Sequence, residues 1–285
     1  MKNRTQNYRL SIAQIAAFGE HLQTEEREQS TIEKYLRSIR AFAVWLGDAP
    51  VTKSAVIAWK EHLMAEQYAP TTINAALASL NAFFKFAGWE ECRVKALRLQ
   101  RRAFRDPNRE LTRDEYDRLI SAAYESGKTR LGLLMETVCA TGIRVSEVKY
   151  ITVEAARCGK TDVSLKGKIR TIMLPGKLCR KLLKYAKKKK IVSGEIFLTR
   201  NGKGLSRRQI WAEMKAICRT AGVAQSKVFP HNLRHLFATV FYRACRDIVK
   251  LADMLGHSSV ETTRIYLIST GVEHARQLDR LGLVS

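Results

Sequence analysis

Apolar side chains at Ile32, Tyr35, Leu36, Ile39, Phe42 and Leu46 recur at three- and four-residue spacing. That rhythm gathers them on one face of an α-helix. Ser30-Thr31-Ile32-Glu33 has the form of a capping box that starts it. A second helix is expected from Pro70-Thr71-Thr72, with Ile73, Ala76, Leu77, Leu80, Phe83 and Phe84 on one side. Shorter patterns lie near residues 12–22 and 56–64. Residues 1–92 therefore read as a compact helical domain whose aromatic side chains are core.

A boundary is predicted over residues 93–110. Arg93, Lys95, Arg98, Arg101, Arg102, Arg105 and Arg109 crowd this stretch, Asp106 is the only acid before Glu110, and Pro107 interrupts it. It reads as an exposed basic strap that touches phosphates. Residues 111–285 then form a second domain. It opens on Leu111-Thr112-Arg113-Asp114-Glu115-Tyr116, a capping box with a Leu/Tyr staple. One β interlude is expected: Val163-Ser164-Leu165 and residues 169–174 flank Lys166-Gly167-Lys168, the pattern of a hairpin with a glycine at its tip. Helices are expected again at about 177–190, 205–220, 231–244, 247–255, 259–268 and 272–281, and Lys187 to Lys190 read as a solvated helix end. The fold class is mainly α with a small β-hairpin, in two domains.

Charge narrows the partner. The chain carries 50 Lys/Arg against 27 Asp/Glu, a net +23. Residues 1–92 hold ten of each sign, so the whole excess lies in residues 93–285. An imbalance of this size points to a polyanion. It also predicts that residues 93–285 supply most of the salt-dependent affinity. No run of ~18 apolar residues is long enough to span a membrane, and the first residues lack the apolar core of a signal peptide. The expected location is the cytoplasm. Six widely spaced cysteines without a CxxC pair read as reduced, mostly buried thiols.

Six residues are candidates for chemistry: Arg144, Lys166, His231, Arg234, His257 and Tyr266. An arginine keeps its proton, and its planar fork can make two charge-assisted hydrogen bonds to a phosphodiester. Arg144 follows the helix end at Thr141-Gly142, and Glu147 three residues on is placed to orient it. Pro230 at a first helical turn puts His231 and Arg234 one turn apart, so both can face one anion. His235 reads as packing. His257 follows Gly256, which closes the helix over residues 247–255, and Ser258-Ser259-Val260-Glu261 is expected to cap the next helix. Tyr266 lies in that helix or near its end. A phenol of pKa near ~10 needs a base or nearby cations to attack at neutral pH. Taken singly, each of these residues has an ordinary structural reading, an ion pair or a packed aromatic.

Together the blocks Ala-Thr-Gly-Ile-Arg-Val-Ser-Glu, His-Asn-Leu-Arg-His and Leu-Gly-His-Ser-Ser-Val-Glu-Thr-Thr-Arg-Ile-Tyr resemble the signature boxes of the tyrosine recombinases, the phage-integrase and Xer family. The resemblance covers essentially the whole chain. It implies a helical core-binding, SAM-like DNA-binding domain over 1–92, a linker over 93–110 and a catalytic domain over 111–285, clamped around DNA. It implies that Tyr266 attacks a phosphodiester to give a 3′-phosphotyrosine and a free 5′-hydroxyl. Arg144 and Arg234 would clamp the non-bridging oxygens, His231 would assist proton transfer from the tyrosine, and His257 would hydrogen-bond the phosphate. Lys166 would protonate the leaving 5′-oxygen, with Lys168 the alternative. No metal and no nucleotide cofactor is implied, because arginines supply the electrostatic work and the covalent link retains the bond energy.

The same resemblance implies double-stranded DNA with a specific recombination site as partner. It implies a homotetramer in the synaptic complex, a monomer or weak dimer off DNA, and a tail over 272–285 that docks on a neighbouring protomer. The length leaves no room for the extra N-terminal arm-binding domain of large phage integrases. Two alternatives use the same residues differently: a type IB topoisomerase, which relaxes supercoils as a monomer, and a DNA-binding protein that kept the fold without the catalysis.

Overall fold

The computed structural model describes residues 8–99, 107–165, 168–266 and 279–281. They fall in two compact units, residues 1–101 and 102–285. Lys166, residues 100–106 of the expected strap, and the 272–285 tail apart from residues 279–281 lie outside the described residues.

The first unit is a bundle of α1 (Ile12–Thr24), α2 (Gln29–Leu46), α3 (Lys53–Ala65) and α4 (Pro70–Phe86). Ser11 and Gln14 form a reciprocal capping box at α1, and Thr52 caps α3. α2 differs from expectation. It begins at Gln29 after an uncapped Glu28, so Ser30 already sits inside the first turn and cannot act as the cap. Ile39, Phe42, Leu77, Leu80, Phe83 and Phe84 are completely buried, each worth about 1.5–3 kcal/mol of transfer free energy. Phe18 meets Phe83 edge-on at 5.5 Å, and Trp59 meets Phe42 at 5.2 Å.

The basic stretch after this bundle is partly built into it. Asn81 accepts from the Val94 N–H at 3.1 Å and donates to the Val94 carbonyl at 2.8 Å. Asn74 does the same with Leu97, at 2.7 and 2.9 Å. Two asparagine amides thus supply the bonds a neighbouring strand would make, and residues 93–97 run along α4.

The second unit is organised around α6 (Thr129–Thr141), which packs against α5 (Arg113–Glu125), α8 (Gly176–Lys188), α9 (Arg207–Ala221) and α10 (Pro230–Cys245). Leu131, Leu133, Leu134, Met135 and Val138 are all buried, as expected of a helix apolar on every side. The Thr112 box at α5 forms as expected, with Leu111 and Tyr116 both buried beside it. β1 (Lys160–Leu165) pairs antiparallel with β2 (Lys168–Met173), from Lys160↔Met173 to Leu165↔Lys168. A short helix absent from the expectation, α7 (Val153–Cys158), leads into this hairpin. α11 (Ile248–Leu255) and α12 (Val260–Arg264) finish the described fold. α12 is capped by Ser259 alone, whose hydroxyl accepts from the Glu261 N–H. The start is thus one residue later than expected, and Tyr266 stands in the turn beyond the helix.

The Lys187 to Lys190 run is exposed at the end of α8, as expected. Of the cysteines, Cys92, Cys179 and Cys218 are buried, Cys139 is half-buried, and Cys158 and Cys245 are exposed. The expected burial therefore holds for half of them. Among the described residues, no helix is long and apolar enough to cross a membrane, and no three His, Cys, Asp or Glu side chains are placed to hold a metal ion.

Candidate active site

The site begins where α6 stops. Gly142 closes the helix at φ +65°, and a side chain there would collide with the Phe237 ring, so the reversal needs glycine. It delivers Arg144 to the N-cap of a 3₁₀ helix, Val145–Tyr150. Glu147, 1% exposed, takes the Arg144 Nη1 on Oε1 at 2.9 Å and the Arg144 N–H on Oε2 at 2.7 Å. The Arg–Glu pair expected on a helical face is therefore a reciprocal cap on a single tight turn. Burial works to raise the Glu147 carboxyl, but the Arg144 N–H and the Arg170 and Arg144 guanidiniums outweigh it and hold the pKa below its ordinary value.

α10 contributes His231 and Arg234 from its first turns, behind Pro230. Arg234 is 2% exposed. Its Nη1 donates to the Gly142 carbonyl at 2.6 Å, and its Nη2 donates to the Leu255 carbonyl at 2.8 Å. Nη2 also lies 3.0 Å from His257 Nε2. Burial, then the Arg144 charge, lowers its pKa to about 10, against an opposing pull from the Tyr266 phenol. It stays a cation at neutral pH.

His257 follows the left-handed Gly256 at the end of α11. Arg234 can only donate, so Nε2 accepts and the ring proton sits on Nδ1, shared with Thr263 Oγ1 at 2.8 Å. Desolvation, then Arg234, Arg144 and Arg170, brings its pKa down to about 4. His231 opens to solvent on one side, yet burial of the rest of the ring, then Arg234 and Arg144, lowers its pKa also. Both imidazoles are neutral at pH 7.

This predicts a pH effect with a definite sign. A histidine whose folded pKa lies below its unfolded value near ~6.5 favours unfolding once the unfolded state takes up the proton. Stability is then full above about pH 6.5 and falls as pH drops toward 4. Allowing for partial exposure, His257 should cost about 1 kcal/mol by pH 5. Urea unfolding at pH 7.5 and 5 measures it. A His257→Gln protein that loses stability as steeply as the parent would remove His257 as the cause.

Tyr266 is 3% exposed. Its ring lies parallel to His257 at 5.8 Å, meets His235 edge-on at 4.4 Å and lies 6.3 Å from His231. Arg144, His231, Arg234, His257 and Tyr266 all line one cleft of about 570 Å³, with Arg207 and the half-exposed Trp211 of α9 on its wall. Of the six candidates, five are brought together; Lys166 lies outside the described residues.

Sequence reasoning missed Arg170, Thr263 and the placement of His235 against the tyrosine. Arg170 donates to Glu147 Oε2 and to the Met254 carbonyl. Its signal was available in strand alternation. Ile172 and Leu174 are buried while Ile169 and Met173 are exposed, so Arg170 occupies a core-facing position where a cation is unusual.

The cleft sets the guanidiniums of Arg144 and Arg234 beside a phenol, and known proteins share its framework. Residues 109–271 match the phage integrase family, and residues 15–91 match the phage integrase N-terminal SAM-like domain. The tyrosine recombinase XerA of Pyrococcus furiosus is 31% identical over 214 residues, covering 70% of this chain and 71% of that protein. XerA of Thermococcus kodakarensis is 29% identical over 271 residues, 92% and 93% of the two chains. Matches to bacterial XerD proteins span about half of their length, 56%. The crystal structure of a lambda integrase (75-356) dimer bound to a COC′ core site superposes with a TM-score of 0.72 over 89% of this chain and 94% of that one, at 20% identity, which speaks for the fold. With its second unit matched almost end to end and its cleft built from the blocks that carry the resemblance, the chain belongs to the phage integrase family of tyrosine recombinases.

Proposed function

We propose that this chain cuts and rejoins DNA at a specific site through a 3′-phosphotyrosine on Tyr266, without metal or nucleotide. The observation that carries the reading is the convergence of Arg144, His231, Arg234, His257 and Tyr266 on one cleft from four separate segments. Family membership supports site-specific recombination over topoisomerase action. The Tyr266 oxygen attacks phosphorus, a P–O bond to tyrosine forms, and the bond to the 5′-oxygen breaks. One proton leaves the phenol and one is delivered to the leaving 5′-oxygen. Arg144 and Arg234 offset the extra negative charge of the five-coordinate state. His231, neutral and at the cleft mouth, accepts the phenolic proton. His257 donates to the phosphate only after its Nε2 gains a proton, and the incoming anion favours that change by opposing the surrounding cations.

The hairpin lysine delivers the second proton. Lys166 is preferred, with Lys168 the alternative. Substituting each by alanine decides between them: loss should vanish on a substrate whose 5′ leaving group needs no proton. If only Lys168→Ala lost activity and was so rescued, the assignment to Lys166 would fall.

Double-stranded DNA is the proposed partner, gripped by both units, with four protomers assembling on two duplexes. Residues 1–92 have zero net charge, yet Lys53 and Lys60 join Arg93 and Lys95 of the basic stretch around a groove of about 520 Å³. This groove supports phosphate contact there. The overall test is capture of a covalent complex on a nicked duplex, followed by identification of the modified peptide. A phosphotyrosine at Tyr266 supports the proposal. Relaxation of plasmid without any target site would favour the topoisomerase reading, and no adduct on any duplex would favour a binding protein.

A further inference from the structure

Arg170 carries a permanent charge with only 13% of its side chain exposed, and its Nε is buried without a hydrogen-bond partner. Leaving such a donor unpaired is destabilising. The position must therefore repay that cost elsewhere. One guanidinium joins three elements. Nη2 donates to Glu147 Oε2, on the turn that carries Arg144. Nη1 donates to the Met254 carbonyl at 2.7 Å, in the last turn of α11. Its Cδ and Nε lie against Gly256, where no Cβ would fit.

The Glu147 contact sets the behaviour of Arg144. Glu147 is buried and needs counter-charge. Oε2 is shared between the Arg144 N–H and Arg170, and Oε1 holds Arg144 Nη1. Without Arg170, Arg144 would be the only cation among the described residues paired with this buried carboxylate. The two would close into a bidentate fork, and the Arg144 guanidinium, 38% exposed at the cleft, would turn from the phosphate toward Glu147. The contacts to Met254 and Gly256 act on the other wall. They hold the turn that presents His257 and the Leu255 carbonyl, which is an acceptor for Arg234. β2, which starts two residues earlier at Lys168, is tied to the same point.

The geometry points to Arg170 as a positioning residue for DNA cleavage, one that divides Glu147 between two guanidiniums, keeps Arg144 open to the phosphate, and pins strand β2 to the His257 turn. This rests on reading the cleft as the cleavage site. The charge of Arg170 also reaches His257, beside Arg234, Arg144, His231, Thr263 and the Tyr266 ring.

The experiment compares full-length parent, Arg170→Gln and Arg170→Lys for adduct formation on a nicked duplex, with urea unfolding to show that each is folded. Arg170→Gln should lower the single-turnover rate at saturating DNA by about tenfold or more, as expected for a misplaced catalytic group, with Kd for uncut duplex within about threefold. Arg170→Lys restores the charge but cannot bridge Glu147 and Met254, so its rate should fall between the two. The second readout is the His257 titration followed by NMR without DNA. It should move upward in Arg170→Gln and stay near the parent's in Arg170→Lys, an order that a loosened fold alone does not produce. A folded Arg170→Gln protein with the parental rate overturns the inference. Should that variant not fold, a parental rate in Arg170→Lys overturns it instead. If the parent itself forms no adduct, the functional reading fails, and an unshifted His257 titration in Arg170→Gln then overturns the positioning role separately.

Discussion

Tyr266→Phe should form no covalent adduct with DNA while retaining its fold and most of its affinity for uncut duplex. The substitution removes one oxygen atom, and that oxygen is the proposed nucleophile. The ring stays wedged among His231, His235 and His257, so the packing is kept. What is lost besides the chemistry is the contact between the phenol and Arg234. A hydrogen bond to a charged group is worth about 1.5–3 kcal/mol, and Arg234 retains its two backbone acceptors. The Tm should therefore drop by a few degrees at most. Adduct trapping on a nicked duplex, beside a binding titration on the intact duplex, separates the two effects. Adduct formation by the phenylalanine protein would place the nucleophile elsewhere.

Arg234→Ala should damage both stability and reaction. Arg234 is the centre of a buried network. Its loss strands the Gly142 and Leu255 carbonyls and His257 Nε2, which now share its donors. Each unpaired buried acceptor costs about 1–3 kcal/mol, and the vacated volume adds a cavity term. Water entering from the cleft offsets part of that sum, so a total of about 3–5 kcal/mol is expected, enough to lower Tm by about 6–20 °C in a domain of this size. The reaction should slow by about 10²–10³ or more, the usual cost of removing one preorganised donor from a developing anion. Arg234→Lys separates the two. It keeps the charge, but a single ammonium cannot reach both carbonyls and a phosphate. It should unfold closer to the parent yet still cleave about 10²-fold more slowly. Parental cleavage by Arg234→Lys would mean that the planar fork has no role.

Capping and amphipathicity depend on residues within four positions of one another, so they are legible in the chain. Thr112 with Glu115, Pro70 at the first position of α4, and the glycines at 142 and 256 were readable for that reason. The start of α2 was not, because the helix begins at Gln29, two residues before the start that a Ser30 cap would give. The asparagine clamps at Asn74 and Asn81 join positions 23 and 13 apart, a pairing that no periodicity announces.

The sequence alone determined that the chain is mainly helical, that its charge lies in its second part, and that four short blocks carry groups suited to a phosphodiester. It also determined the family, because those blocks are specific in combination. Tertiary structure decided how the groups behave. It buried Arg234 against two carbonyls, turned His257 into an acceptor with a pKa of about 4, seated Tyr266 beside His235, and brought Arg170 to Glu147 across 23 residues. Each of these results depends on which groups exclude water from which others. That follows from the packing around α6 and α10 and is not encoded in any local stretch of chain.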